Sequence, residues 1–377
     1  MGSEMCIRDS PWPCRAVPYR DSLLLVTPIG ADVSSLAGGH GVHNQLALNL
    51  SEDRIQVPVS TRAEELPVPL PVIALVGPTA SGKSALAIQL ALALAQHHHP
   101  AEIVNGDSMV VYRGMDIGTA KPSHDDRATV PHHLVDILDV TQSSSVALMQ
   151  SRARQTFVDL RGRGVVPILV GGSALYSRAI LDEMTIPPTD PAVRARLESE
   201  LVEAGPHALH DRLGRLDPQA AKAILPGNGR RLVRALEVVE LTGSFTATMP
   251  TGRYDAQVAP VIQIGLTLPR EDMDRRIALR VEQMWRDGFV DEVRALPDLP
   301  CGRTASRALG YRQILQFLAG EINEDEAFEQ TIVRTRRFAR KQLMWYRKDD
   351  RIFWVDALSP HAVGDVLTHL EETMTSW

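Results

Sequence analysis

The sequence contains few cysteines, few aromatic residues and no long apolar run. Its three cysteines (Cys6, Cys14 and Cys301) are odd in number and lack the spacing of a metal or redox motif, which favours a reducing compartment. No apolar run approaches the roughly 20 residues that span a bilayer. The N-terminal residues lack the basic start, apolar core and cleavage site of a signal peptide. We therefore expect a cytoplasmic protein with no membrane segment.

A surplus of basic charge is absent as well. The chain carries 40 basic and 46 acidic side chains, a formal net charge of −6, so a contact with nucleic acid requires a local basic patch. With 377 residues, 44% of them hydrophobic and 23% charged, the chain can form one large or two medium globular domains.

Residues 1–70 differ from the rest of the chain. They contain scattered prolines, glycines and serines and only one short apolar run. We expect this segment to be a non-native extension that arises from a mis-assigned start or foreign coding sequence. The competing interpretation is a disordered native extension.

The most informative local motif is Gly77-Pro78-Thr79-Ala80-Ser81-Gly82-Lys83-Ser84. It matches G-x-x-x-x-G-K-[ST] and lies between an apolar run at 72–76 and a helical pattern at 85–95, the context of a phosphate-binding loop. Loop amides and the positive helix end favour an anion, Lys83 supplies a charge to phosphates, and Ser84 supplies a hydroxyl to Mg²⁺. The alternative is a glycine-rich turn before a helix. The motif predicts polyphosphate binding without saying which polyphosphate.

Strand and helix patterns alternate after this loop. They comprise candidate strands at 102–105, 133–137 and 165–170 and a candidate helix at 146–161. Such alternation predicts a parallel sheet whose ligands bind at the carboxyl ends of the strands. Asp107, Ser173 and the phosphate loop all follow strands, so we expect them to converge on one edge of the sheet.

A helical insertion interrupts the alternation after the proline-rich residues 187–191. Its helical patterns cover 192–203, 207–216, 218–224 and 230–241. A strand pattern at 261–268 returns the chain to the sheet, followed by helical patterns at 270–287, 290–296, 303–319 and 324–347, a strand at 352–355 and a helix at 361–374. We predict an α/β fold with a P-loop NTPase-like parallel sheet core (71–186 and 255–377), an all-helical insertion (187–254) and a helix-rich C-terminal part.

Several segments together resemble the tRNA dimethylallyltransferases, also called tRNA isopentenyl-diphosphate transferases. The most specific is Asp107-Ser108-Met109-Val110-Val111-Tyr112-Arg113-Gly114-Met115-Asp116-Ile117-Gly118-Thr119-Ala120-Lys121-Pro122. The phosphate loop and residues 131–133, 171–176, 230–238, 308–312 and 340–347 match as well, so the resemblance covers residues 72 to 355. The family usually has threonine in place of Ser173, which keeps the hydroxyl, and an Asn-Asp-Pro-like turn in place of Gly227-Asn228-Gly229.

The resemblance implies transfer of a dimethylallyl group from dimethylallyl diphosphate to N6 of the adenine just 3′ of the anticodon in tRNA. The implied partners are that diphosphate and the tRNA anticodon stem-loop, with Mg²⁺ as cofactor, and nothing in the sequence requires more than a monomer. The leaving diphosphate needs preorganised cations and amides, which the loop and Lys83 can supply. The family pattern adds Arg276 and Arg280, spaced i, i+4; without the resemblance this pair fits a solvated helix face better.

Two further residues have a predicted catalytic role and a plain structural alternative. Asp107 can accept the N6 proton as a general base, and the resemblance favours that role over a helix N-cap or an outer Mg²⁺ contact. Ser173 can hydrogen-bond the diphosphate or the incoming amine, and it can also cap the helix that follows.

Binding a stacked anticodon-loop base requires extrusion and contacts to the flanking RNA. Residues 331–351 combine basic and aromatic side chains, which suits phosphate neutralisation and stacking. The alternative is a solvated helix face with its aromatics in the core, and for Trp345 core packing is an equal alternative. The predicted tRNA contacts are Asp107, Ser108, Met109, Val110, Arg194, Arg230, Arg231, Leu232, Val233, Arg234, Arg307, Arg312, Arg336, Arg340, Lys341, Gln342, Trp345 and Arg347.

Three other functions compete with this hypothesis. A small-molecule kinase shares the loop but does not explain residues 107–122. An isopentenyltransferase of free adenine nucleotides does not need the insertion or the basic C-terminal helix. A non-catalytic tRNA-binding protein has no use for an intact phosphate loop.

Overall fold

The computed structural model describes residues 69–245 and 252–374. The predicted extension therefore lies outside the described residues, apart from its last two positions. Among the described residues, no helix combines the length and the apolar character needed to cross a membrane.

Six parallel strands form a single sheet, and their bounds are β1 (Val72–Val76), β2 (Ala101–Asn105), β3 (His132–His133), β4 (Val166–Gly171), β5 (Val261–Thr267) and β6 (Ile352–Asp356). Their order is β3-β2-β4-β1-β5-β6. Every residue of β1 is buried, as expected for a central parallel strand covered on both faces. In register, Ile73 lies opposite Ile168 of β4 and Ile262 of β5. The predicted α/β fold with a parallel sheet is confirmed.

Twelve helices lie among the described residues: α1 (Lys83–Gln96), α2 (His124–Thr129), α3 (Val146–Gly162), α4 (Ala174–Leu181), α5 (Pro191–Leu216), α6 (Pro218–Ala223), α7 (Gly229–Thr242), α8 (Arg270–Arg286), α9 (Phe289–Arg294), α10 (Tyr311–Leu318), α11 (Glu324–Tyr346) and α12 (Ala362–Thr373). One core forms between the sheet, α1 and α12, where Leu90 and Leu370 are buried. A second core includes Phe157 and Leu160 of α3.

Helices α5 to α7 pack around an apolar cluster of their own, which includes Leu197, Leu213 and Leu236. Helix α5 is interrupted at Gly205 (φ 78°), directly before Pro206, which matches the predicted gap between two helical patterns. The buried carboxylate of Glu237 binds Arg194, Arg234 and the Thr189 hydroxyl, and so ties α7 to the segment that enters the insertion.

Two predicted elements differ in the structure. The strand expected at 133–137 is only His132–His133, because Leu134 (φ 60°) and Asp136 (φ 57°) adopt left-handed backbone conformations that end the strand. The helix expected at 303–319 is a 3-10 turn at Ala305–Arg307 followed by α10, with Gly310 (φ 85°) between them.

Candidate functional site

The loop between β1 and α1 has a tightly constrained backbone. Gly77 has φ 139°, and a Cβ at this position would lie 2.8 Å from the Leu266 carbonyl oxygen of β5. Ala80 adopts a left-handed conformation (φ 62°), which costs an L-residue about 1 kcal/mol, and Gly82 (φ 94°) precedes the first residue of α1. The loop therefore holds a curled conformation in front of a helix N-terminus, as an anion-binding loop requires.

Lys83 lies within this curl. Its Nζ donates a hydrogen bond to the Pro78 carbonyl oxygen at 2.6 Å. Burial, and then the nearby charge of Arg280, lower the pKa of Lys83 to about 7, while the Asp107 carboxylate opposes the shift. Because little negative charge surrounds the Lys83 ammonium, an anionic ligand would stabilise its charged form strongly.

Arg276 and Arg280 project from α8 toward the loop. Arg276 Nη1 lies 3.9 Å from the position that a Cβ on Gly82 would occupy. Arg280 Nη2 donates to the Thr119 carbonyl oxygen at 3.4 Å, and burial lowers its pKa against the opposing charge of Asp107. Both arginines line the cavity of the loop, so they do not form a solvated helix face.

Asp107 follows β2 and is held by short-range hydrogen bonds. Its Oδ1 accepts the Met109 N–H at 2.8 Å, and its own N–H donates to Asn105 Oδ1 at 2.9 Å. No helix begins between residues 108 and 123, so the N-cap alternative is wrong. Oδ2 accepts no hydrogen bond from residues 69–245 or 252–374. One carboxylate oxygen is therefore positioned by the turn while the other remains available for a ligand.

Ser173 occupies the N-cap position of α4 but does not use its side chain as a cap. Its backbone conformation (φ −94°, ψ 111°) directs the chain from the Gly171-Gly172 turn into the helix. The hydroxyl lines a cavity, so it can serve a ligand.

Two cavities meet at the carboxyl edge of the sheet. The first, of about 480 Å³, is lined by the loop, with Lys83, Ser84 and Arg276. The second, of about 450 Å³, is lined by Ser173 and Arg307 together with apolar side chains. The residues that line both are Thr79, Ala80, Asp107, Thr119, Arg280 and Phe338. The boundary between the cavities thus carries one carboxylate and one guanidinium.

A cluster of arginines lies at the second cavity. Arg307 lines that cavity, and its pKa is lowered by burial and by the charges of Arg230, Arg303 and Arg312, which act on it from nearby. Glu198 of α5 pairs with Arg303 and is the acidic group that acts on Arg307. The net charge of the cluster is positive, so it favours phosphate groups.

The predicted tRNA contacts of α11 and its C-terminal end differ in exposure. Lys341 and Trp345 of α11 and Arg347, which follows it, are exposed, together with Arg334 and Arg337. Arg336 and Arg340 are partly buried and bind Asp274 of α8, through its carbonyl oxygen at 3.1 Å and its carboxylate at 3.4 Å, respectively, so their role toward tRNA stays a prediction.

Three predicted tRNA contacts are corrected by burial. Leu232 and Val233 are 0% and 2% exposed because they form the core of the insertion, and Gln342, only 5% exposed, accepts the Thr79 N–H at 2.9 Å. Arg194 and Arg234 pair with Glu237 and remain partly exposed, so their role toward tRNA stays a prediction. The other predicted contacts lie at surfaces or cavities: Arg230, Arg231 and Arg312 are exposed, Arg307, Ser108 and Met109 line the second cavity, and Val110 lines the first.

Sequence reasoning missed Thr119 and Phe338 as individual site residues, although each lies in a segment that was recognised. Thr119 belongs to the 107–122 block, and its carbonyl oxygen receives Arg280. Phe338 is 41% exposed and lines both cavities. Only the tertiary arrangement of α8 and α11 identifies these roles.

The residues of the first cavity fit a magnesium ion bound mainly by its substrate. Residues 69–245 and 252–374 contain no cluster of three or more His, Cys, Asp or Glu side chains able to hold a metal. Ser84 is exposed at the start of α1 beside Lys83. Because Mg²⁺ keeps several waters and takes phosphate oxygens, one hydroxyl from the chain suffices.

Fold and site together describe an α/β protein with a phosphate-loop motif and two adjoining cavities at one edge of its parallel sheet. A sequence profile described as IPP transferase matches residues 110–349. The tRNA dimethylallyltransferase of Cutibacterium acnes is 62% identical over 80% of this chain and 96% of its own, and that of Thermobifida fusca is 60% identical over 78% and 92%. A crystal structure of the tRNA isopentenylpyrophosphate transferase from Bacillus halodurans matches with a TM-score of 0.58 and 36% identity, covering 80% of this chain and 96% of the other.

The chain therefore belongs to the IPP transferase family, and it is an enzyme of the tRNA dimethylallyltransferase type. The resemblance found in the sequence is confirmed.

Proposed function

We propose that this enzyme transfers the dimethylallyl group of dimethylallyl diphosphate to N6 of the adenine that lies 3′ of the anticodon in tRNA. The observation that carries the proposal is the junction of the two cavities at Asp107 and Arg280. Cations for a diphosphate line one side, and arginines for an RNA backbone lie at the other. The names of the relatives support the same donor group and acceptor.

The diphosphate binds in the first cavity. Loop amides can donate hydrogen bonds to it, Lys83 and Arg276 can neutralise its charge, and Arg280, which lines both cavities, can stabilise the charge that develops on the leaving oxygen. Ser84 would hold Mg²⁺, which neutralises charge on the departing diphosphate. As this charge grows in the transition state, preorganised cations stabilise it more than they stabilise the bound substrate.

The adenine enters through the second cavity and reaches Asp107. As the N6–C1 bond forms and the C1–O bond breaks, the N6 proton passes to the free Asp107 oxygen. The turn through Met109 fixes that carboxylate, and the Ser173 hydroxyl can orient the amine or a phosphate oxygen. The products are N6-isopentenyladenosine in tRNA and diphosphate.

Extrusion of the adenine uses contacts outside the cavity. The exposed basic face of α11, defined by Arg334, Arg337 and Lys341, can neutralise RNA phosphates, as can Arg347 just after the helix and the arginine cluster at Arg307. Trp345, 39% exposed, offers a stacking surface. We propose that the enzyme acts as a monomer on the anticodon stem-loop.

The test incubates the purified full chain with labelled dimethylallyl diphosphate, or separately with labelled ATP, and offers either unmodified tRNA or free AMP as acceptor. The proposal predicts label on tRNA only with the prenyl donor. Label on AMP would indicate a nucleotide isopentenyltransferase, and phosphate transfer from ATP would indicate a kinase; either outcome contradicts the proposal.

A further inference from the structure

Gln342 joins three elements of the site. Its Oε1 accepts the Thr79 N–H at 2.9 Å, across 263 residues of sequence. Because an N–H can only donate, the amide oxygen must face Thr79. The side chain is 5% exposed and belongs to the first cavity, although its neighbour Lys341 on α11 is exposed.

The other end of the same amide packs against the turn that carries Ser173. A Cβ added to Gly172 would lie 2.8 Å from Gln342 Nε2, so glycine leaves the space that the amide occupies. Gly172 does not have a positive φ, so alanine is compatible with its backbone. One side chain of α11 thus contacts both the phosphate loop and the turn before the Ser173 hydroxyl.

We infer that Gln342 is a positioning residue through which helix α11 sets the conformation of the phosphate loop. The inference rests on the proposed function for the identity of the two substrates. The expected effect of Gln342 on the binding of inorganic diphosphate does not depend on prenyl transfer. Thr79 precedes Ala80, whose left-handed conformation needs support from outside the loop. Both residues line the two cavities, so a shift there alters the donors around the diphosphate.

The same helix presents its basic face, which includes the adjacent Lys341, to solvent. Phe338, one turn before Gln342, lines both cavities, and Trp345, about one turn after Gln342, is exposed. A displacement of α11 by bound RNA therefore reaches the loop through the Gln342 amide. This predicts that RNA and diphosphate change each other's affinity by the same factor.

The first test replaces Gln342 with methionine, which keeps the length and removes the acceptor. We expect the dissociation constant for inorganic diphosphate with Mg²⁺, measured by calorimetry, to rise roughly fivefold to tenfold, the loss of one neutral hydrogen bond. The KM for dimethylallyl diphosphate rises with it, while the dissociation constant for the anticodon stem-loop alone stays unchanged. In the Gln342→Met variant, bound stem-loop should no longer alter the affinity for diphosphate.

The matched control is the reverse exchange, Met344→Gln, two residues further along α11, where the side chain is 52% exposed. It should leave diphosphate affinity and its coupling to RNA unchanged. If Gln342→Met lowers thermal stability but keeps the wild-type affinity for diphosphate, then Gln342 contributes only packing. That result would overturn the inference. Absence of coupling in the wild-type enzyme would also overturn the inference.

A second variant tests the same contact without removing the amide. Gly172→Ala should displace the Gln342 side chain and weaken diphosphate binding, and this effect should shrink in a Gln342→Ala background, where the space is open. An equal effect in both backgrounds contradicts the inference. Because these measurements use inorganic diphosphate, they remain decisive even if no prenyl group reaches tRNA, the result that would defeat the proposed function.

Discussion

At the scale of single residues, Lys83 is the cation of the phosphate loop that we propose to bind the diphosphate. Its replacement by alanine should abolish transfer, because loss of a charge-assisted contact in this cavity costs on the order of 3 kcal/mol of transition-state stabilisation. Affinity for tRNA should stay nearly intact, since Lys83 lines the first cavity only. Single-turnover rates and filter binding of tRNA measure the two effects, and an equal loss in both would refute the assignment.

The lowered pKa of Lys83 predicts a pH dependence of diphosphate binding. In the free enzyme this pKa is about 7, so the ammonium is lost as the pH rises through 7. A bound diphosphate favours the charged form, so binding above pH 7 should take up a proton and weaken as the pH rises. Calorimetry at pH 8 in buffers of different ionisation enthalpy should report this uptake. Binding without proton uptake would show that Lys83 does not contact the diphosphate.

Asp107 can be tested separately from the diphosphate. Asp107→Asn keeps the shape and the turn to Met109, but an amide cannot accept the N6 proton. The single-turnover rate should fall by roughly two orders of magnitude or more, with little change in affinity for dimethylallyl diphosphate. Near-normal turnover would leave Asp107 as a structural residue.

At the scale of elements, α11 separates its cations into two groups. The exposed pair Arg337 and Lys341 can meet RNA, whereas Arg336 and Arg340 bind Asp274 of α8. Replacing Arg337 and Lys341 by glutamine should weaken tRNA binding and flatten its log–log salt slope by roughly 0.7 to 0.9 per lost phosphate contact.

The matched control is Arg336→Gln with Arg340→Gln, which keeps the number of removed charges. This double variant should lower thermal stability, because the contacts to Asp274 are lost. It should change the salt slope of tRNA binding less than the Arg337 and Lys341 variant does. A larger change of slope in this control than in the exposed pair would show that α11 meets RNA with its other face.

Helix α7 supplies a stability prediction. The pKa of the buried Glu237 is lowered to about 2 by Arg194, Thr189 and Arg234, although burial itself opposes the shift. This carboxylate therefore stabilises the fold above its unfolded pKa, and the stabilisation is lost as the pH falls from 4.5 toward 2. Glu237→Gln should cost about 3 kcal/mol at pH 7 and little near pH 2. Hydrogen exchange in α5–α7 at both pH values measures the difference.

The sequence predicted those parts of the site that depend on local patterns. The loop motif, and the positions of Asp107 and Ser173 after strands, follow from short segments and the geometry of parallel sheets. Leu232 and Val233 were misjudged because a helical pattern does not say which face meets a neighbour. The contact between Gln342 and Thr79, 263 residues apart, has no local signal at all.

At the scale of the whole molecule, the sheet edge brings two binding regions to one junction. Strands β1, β2 and β4 end at the phosphate loop, at Asp107 and at Ser173, while α8 covers the junction with Arg280. Under the proposed function, each substrate binds on its own side of the junction, and the reaction occurs where Asp107 reaches both cavities. The two binding steps should respond to different residues.

The most direct measurement compares both substrate affinities in two variants that lie on opposite sides of the junction. Arg276 lines the first cavity and Arg307 the second, so Arg276→Met should weaken dimethylallyl diphosphate binding while leaving affinity for the anticodon stem-loop within twofold, roughly the limit of a neutral surface change. Arg307→Met should do the reverse. Loss of both affinities in each variant, or exchanged effects between the two, would contradict an enzyme in which diphosphate and RNA enter separate cavities and meet at Asp107.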